Sequence, residues 1–172
     1  MYDRGEDARS MGDGDNNGIE WLTANEQRAW RAFIDGSQRL IGLLNRDLTT
    51  SDSLSIADYR ILVLLSEAPT GALRMSEIAD GIVASRSKLT HQARRMEAAG
   101  LIHREACSED GRGVCAHITD TGRAALRAAA RNHVASVRAY FVDLLDEAEL
   151  DALTRIFEKI DNHVVAKQHS DD

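Results

Sequence analysis

The 172-residue sequence predicts a mostly α-helical protein with a single small β-hairpin. Three observations lead there. The chain has one proline and only 5% aromatic residues, while alanine, leucine, arginine and glutamate, all strong helix formers, recur throughout. Apolar residues return at helical spacing along most of its length. Between 101 and 118 the period switches to alternation on either side of a Gly-bearing tip. With 43% hydrophobic residues, a chain of this length buries one good core, and one domain is the default.

Residues 1–20 mix Gly, Asp and Asn with almost no apolar content, and read as a disordered acidic tail that cannot offset the entropy of ordering. Thr23-Ala24-Asn25-Glu26 is a T-x-x-E capping box. Trp30, Phe33, Ile34, Leu40, Ile41, Leu44 and Leu48 then mark a long helix over 24–48, followed by a polar break over 49–53. Ser55 and Asp58 repeat the capping signal for a helix ending near Glu67, stopped by Pro69, Thr70 and Gly71. A short helix over 76–82 buries Ile78 and Ile82, with Gly81 suited to the turn. Ser85 caps the next helix, which runs to Ala99 and ends on Gly100, the residue that best tolerates a left-handed C-terminal turn.

The hairpin follows. Ile102, Arg104 and Ala106 alternate with His103, Glu105 and Cys107, and Val114, Ala116 and Ile118 with Cys115 and His117. Thr119 caps a helix carrying Leu126, Val134, Val137, Tyr140, Phe141, Leu144 and Leu145, and Asp146 to Glu149 cap a last one. Two short helices joined by a tight turn and followed by a hairpin make a winged helix-turn-helix, whose second helix enters the DNA major groove. The chain divides into the tail 1–20, an N-terminal dimerisation helix 21–53, the winged domain 54–119, C-terminal dimerisation helices 120–166 and a tail 167–172.

The helix after Ser85 carries the function. Only Leu89, Ala93 and Met96 are apolar, so one stripe faces inward, and no acid precedes Glu97. The other face supplies base-edge hydrogen bonding and phosphate neutralisation together. Ser85 opens it. Arg86, Ser87, Thr90 and His91, near the N-terminus, are the expected base readers, and Lys88, Arg94 and Arg95 the expected phosphate ligands. At the hairpin tip, Arg112 is placed to probe the minor groove, with Asp110 fixing its direction.

The net charge of −7 does not exclude DNA, because the acids cluster elsewhere. Residues 1–20 hold six acids and two bases, and 143–151 hold five acids and no base, whereas 86–104 hold five bases and one acid. A protein-interaction module of the same fold predicts a neutral or acidic face on this helix, which Arg86, Lys88, Arg94 and Arg95 contradict. An architectural DNA binder favours a basic tail, and this tail is acidic.

The sequence resembles the MarR (multiple antibiotic resistance regulator) family over about 23–165. The matching stretches are 54–62, Met75 to Ala79, Ser85 to Thr90, Met96 to Ile102, Glu109 to Arg112 and Ile118 to Gly122, in order and at the right spacing. The family usually has a second basic residue at the wing tip, where this chain has Gly111. The resemblance implies a homodimer on pseudo-palindromic double-stranded DNA, built by the first and last two helices. It also implies repression relieved by a small aromatic or phenolic ligand, for which Trp30, Tyr59 and Arg60 are candidate pocket residues. The terminal helices support the dimer independently, since their apolar stripes are too wide to hide against one small winged domain.

Ser85 to Lys88 formally spells S-x-x-K, but the partner motifs S-D-N and K-T-G are absent, as are a phosphate loop, H-E-x-x-H and a dinucleotide fingerprint. The sequence therefore predicts neither an enzyme nor a cofactor. No apolar run approaches ~18 residues, so no membrane span is expected, and the acidic start is no signal peptide. Two cysteines make no disulfide framework and point to a reducing cytoplasm. If Ile102 faces Ile118, then His103 faces His117, Cys107 lies diagonal to Cys115, and all four share one wing face. Oxidation sensing or metal binding at Cys107 and Cys115 is the alternative this leaves, although the spacing C-x7-C-x-H matches no standard zinc motif.

Overall fold

A computed structural model describes residues 20–82, 85–107 and 113–168. The chain forms two compact units, the first ending at Ser37 and the second beginning at Gln38. In the first, helix α1 (Ala24–Asp52) opens on the expected capping box: Glu26 accepts from the Thr23 amide at 2.7 Å, and the Glu26 amide donates to Thr23 Oγ1 at 3.3 Å.

In the second unit α1 runs through most of the polar break expected at 49–53, ending at Asp52. Thr49 and Ser51 turn their hydroxyls back onto the carbonyls of Asn45 and Asp47, at 2.7 and 2.6 Å, so these polar residues extend the helix to Asp52. The helix is tied to α5 (Asp120–Tyr140) by polar contacts, Ser136 Oγ donating to Asp47 at 2.7 Å and Asn132 to Asp52 at 3.4 Å. A further hydrogen bond to Asp47 pushes the Tyr140 phenol above its ordinary range.

Helix α2 (Ile56–Glu67) starts on a complete capping box between Ser55 and Asp58, and Asn45 Oδ1 takes the Ile56 amide at 3.0 Å. Three of the helix's orphan amides, those of Ser55, Ile56 and Asp58, are thus satisfied. Its inner face, Ile61, Leu62 and Leu65, forms the core with Ile78, Leu89, Met96, Ile102 and Ala116. Helix α3 (Met75–Ile82) crosses close to α2: a Cβ on Gly81 would lie 2.9 Å from Leu64 Cδ1. A side chain at 81 would have to displace the end of the Leu64 side chain. Helix α4 (Arg86–Ala98) is capped by Ser85 and followed by Gly100 at φ +70°. A 3-10 turn, Val142–Leu144, follows α5, and α6 (Glu147–Gln168) closes the described chain.

The expected hairpin is present as β2 (Ile102–Ala106) and β3 (Val114–Ile118), with Ile102 opposite Ile118 and His103 opposite His117. A third strand, β1 (Ala72–Arg74), pairs antiparallel with β3, giving the order β1-β3-β2. The sequence reading missed it because three residues are too few to show an alternation. The reading of two unlinked thiols is also corrected. Cys107 and Cys115 form a disulfide, since the diagonal positions of the hairpin bring their Cα atoms to 5.2 Å.

Thr119 joins sheet to α5. Its hydroxyl accepts the Gly122 amide at 3.0 Å and donates to Leu101 O at 3.0 Å. A Cβ on Gly122 would lie 2.1 Å from that same carbonyl oxygen, a backbone atom that cannot swing away. Gly122→Ala should therefore destabilise the fold by about 1–3 kcal/mol, measured as a lower urea midpoint at unchanged slope. Wild-type stability in that variant would show the approach to be loose.

Candidate nucleic-acid interface

Helix α4, which follows α3 in the chain, presents one side to solvent. Leu89, Ala93 and Met96 are buried as the spacing predicts. Ser85, Arg86, Ser87, Lys88, His91, Arg94 and Arg95 are exposed, and Thr90 is half-buried. Not all are equally available. The Thr90 hydroxyl donates to Arg86 O at 2.8 Å, and Ser85 accepts the Lys88 amide. Arg95 donates to Gln92 Oε1 at 2.8 Å and lies 3.7 Å from Asp58 Oδ1, so it belongs partly to the scaffold.

That scaffold is a polar junction at the start of α2. Asp58 is buried and accepts from the Ser55 amide at 2.9 Å, from Ser55 Oγ at 2.6 Å and from Gln92 Nε2. Gln92 also reaches Ser55 Oγ at 3.1 Å. The carboxylate that caps α2 thereby fixes the rotation of α4 about its axis. Arg60, on the outer side of α2, donates to Gly81 O at 3.1 Å and Ile82 O at 3.4 Å, closing the carbonyl end of α3.

The C-terminal end of α4 is fastened to the sheet. Glu97 accepts from the Arg104 backbone amide at 2.9 Å and from its guanidinium at 2.6 and 3.1 Å. These bonds hold the Glu97 carboxyl below its ordinary range, with the Arg104 side chain the largest cause.

Between α4 and the sheet runs a cleft of about 430 Å3, lined by Arg74, Ser76, Arg86, Thr90 and Gly113 among others. A cation at either side and a glycine at the rim make it a passage suited to a phosphate backbone. Arg74, on β1, is a further candidate contact that sequence reasoning missed, because its strand was missed. A Cβ on Gly113 would meet Arg74 Nη1 at 3.0 Å, so that glycine lets the guanidinium cross the wing. The wing-tip candidates Asp110 and Arg112 lie outside the described residues.

Each candidate pocket residue has contacts of its own. Tyr59 rests on His133 of α5, with ring centroids 4.5 Å apart. Burial pushes its phenol up and holds the His133 imidazole below the usual histidine range. His133 Nδ1 is buried without a hydrogen-bond partner among the described residues. Arg60 serves α3 as described, and Trp30, in the first compact unit, is exposed and contacts Phe33 at 5.9 Å. The Cys107–Cys115 bond lies at the wing, with Cys107 buried and Cys115 half-buried. Because both sulfurs are consumed in it, neither is a metal ligand in this state.

The sequence profile of the MarR family matches residues 54–114. AbsC, a MarR family transcriptional regulator from Streptomyces coelicolor, is 40% identical, with TM-score 0.81, over 86% of this chain and 99% of its own. Sco3205, another from the same organism and solved in complex with DNA, is 36% identical over 84% of this chain and 94% of its own, also with TM-score 0.81. A mutant MarR from Escherichia coli, solved with operator DNA, shares the fold at 20% identity, TM-score 0.70, covering 82% of this chain and 99% of its own. Among curated proteins, none matches the chain at a significant level.

The Glu97 tether carries a sign. Its carboxyl titrates below the unfolded value of 4.5, so the tether is fully present above that pH and is lost as pH falls through the lower folded value. In an NMR titration, the Arg104 amide should shift with a midpoint below 4.5 and stay flat in Glu97→Gln. A midpoint at or above 4.5 would show the side chain to be untethered in solution.

Proposed function

Because this chain belongs to the MarR family of transcriptional regulators, we propose that it is a cytoplasmic, sequence-specific regulator that binds a pseudo-palindromic operator as a homodimer. The observation that carries this reading is the outer face of α4. It presents Arg86, Lys88, His91 and Arg94 to solvent, while Gln92 and Glu97 fasten the helix at its middle and near its C-terminal end. A fixed, basic, hydrogen-bonding helix beside a cationic cleft is what major-groove readout requires. Arg86, Ser87 and His91 read base edges; Lys88, Arg94 and Arg74 hold phosphates; Arg112 enters the minor groove with Asp110 directing it.

The dimer is supported by α6. From Thr154 to Lys167 every residue is exposed, yet Ile156, Ile160 and Val164 form an apolar stripe at helical spacing. Such a face is costly in water and is covered by a second copy in a two-fold assembly. Two recognition helices then reach half-sites about one DNA turn, roughly 34–36 Å, apart. The regulator acts as a repressor released by a small aromatic or phenolic effector, which the Tyr59 ring and the unsatisfied His133 Nδ1 suit as contacts.

The test is a titration against the intergenic DNA upstream of the gene, by fluorescence anisotropy at several salt concentrations. Two chains should bind each palindromic duplex. Arg94→Ala should weaken binding on all sequences and lower the salt slope by about 1 per contact removed. Arg86→Ala should erode preference for the palindrome. Equal, weak binding to random DNA, unaffected by either change, would leave the interaction-module reading in its place.

A second reading is favoured by the disulfide. Cys107 and Cys115 stand on the two arms of the wing and are joined by their bond. A peroxide would take two electrons and two protons from the thiols, giving the disulfide and two waters, and operator affinity would differ between the two states. Oxidised and reduced protein should bind the operator with different affinity, and Cys107→Ser/Cys115→Ser should lose that difference. Equal binding by both wild-type states would end the redox reading.

A further inference from the structure

On the sheet face turned away from the core, His103 and His117 stand directly opposite each other on β2 and β3, with rings stacked at 4.6 Å and 15°. Glu105 lies two residues beyond His103 on the same strand and therefore on the same face. One donor atom from each of the three lies within 4.8 Å of the others. His117 Nε2 is shut off from water, and although Glu105 Oε1 is 3.0 Å away, the ring nitrogen is not aligned to hydrogen bond with it. Two imidazoles on neighbouring strands, with a carboxylate beside a buried ring nitrogen, bring three potential metal donors together.

We propose that His103, Glu105 and His117 form a binding site for a borderline divalent transition-metal ion, zinc above all, on the wing sheet. Two imidazoles and one carboxylate suit zinc and its first-row neighbours rather than calcium or magnesium, which take oxygen ligands. Three donors on a tetrahedral zinc at about 2.0–2.2 Å sit roughly 3.4 Å apart. Closing to that spacing needs only side-chain rotation, and His103 and Glu105 are exposed enough to rotate. The backbone beneath is already set by the β2–β3 register and by the Cys107–Cys115 bond next to Glu105. Binding therefore orders three side chains without folding a loop. A water completes the coordination, because the neighbouring sulfurs are engaged with each other.

This assignment is independent of the DNA-binding reading, and its test contains no DNA. Full-length oxidised protein is titrated with zinc chloride by calorimetry, and with cobalt(II) by visible absorption. One ion per chain should bind. His103→Ala and His117→Gln should each weaken it at least about tenfold, as loss of a direct ligand does. His163→Gln, an exposed histidine of α6, should leave it unchanged. His103 is exposed, so its replacement leaves the core intact, and circular dichroism verifies that. The wild type should show cobalt d–d bands that both wing variants lose. Absence of zinc binding to the wild type, or affinity that survives both wing substitutions, would overturn the site.

Discussion

The buried carboxylate of Asp58 organises the packing of α2 against α4. It is the acidic half of the α2 capping box and the acceptor for Gln92 of α4, so a local helix start and a long-range helix contact share one group. A buried carboxylate is tolerated only when its lone pairs are filled, and here Ser55 and Gln92 fill them. Leu89, Ala93 and Met96 press α4 onto the core without choosing its rotation closely. The directional bonds at Asp58 make that choice, and the exposed cations follow from it.

A second fastening, Glu97 with Arg104, relates α4 to the sheet. The two fastenings sit at the middle and near the C-terminal end of one 13-residue helix. The chain keeps its small residues where backbone or cation passes closely. Gly113 yields to the Arg74 guanidinium, and Gly122 to the Leu101 carbonyl.

The chain's net charge of −7 is compatible with a cationic reading face because charge is segregated by element. The bases of α4 are displayed, and its single acid is drawn against Arg104. Phosphate neutralisation responds to the local field within roughly a Debye length, about 8 Å at physiological salt, so acids on remote elements weigh little.

Much was legible in the sequence for a definite reason: it resided in local, periodic chemistry. The capping residues Thr23, Ser55, Ser85, Thr119 and Asp146, the buried stripe of α4 and the Ile102–Ile118 register each depend on neighbours a few residues away, and each is present. Local chemistry also misled, as at Thr49 and Ser51, whose hydroxyls bond back into α1 instead of breaking it. The rest required tertiary structure. Strand β1 is too short to show a period and exists because β3 offers it an edge. Gln92 finds Asp58 across 34 residues, Tyr59 meets His133, and Arg60 turns away to close α3. Such pairings depend on how helices cross in space, which no window of sequence encodes. Residue types and helix faces were thus determined by the sequence alone, whereas the partners of the polar side chains were decided only when the elements met.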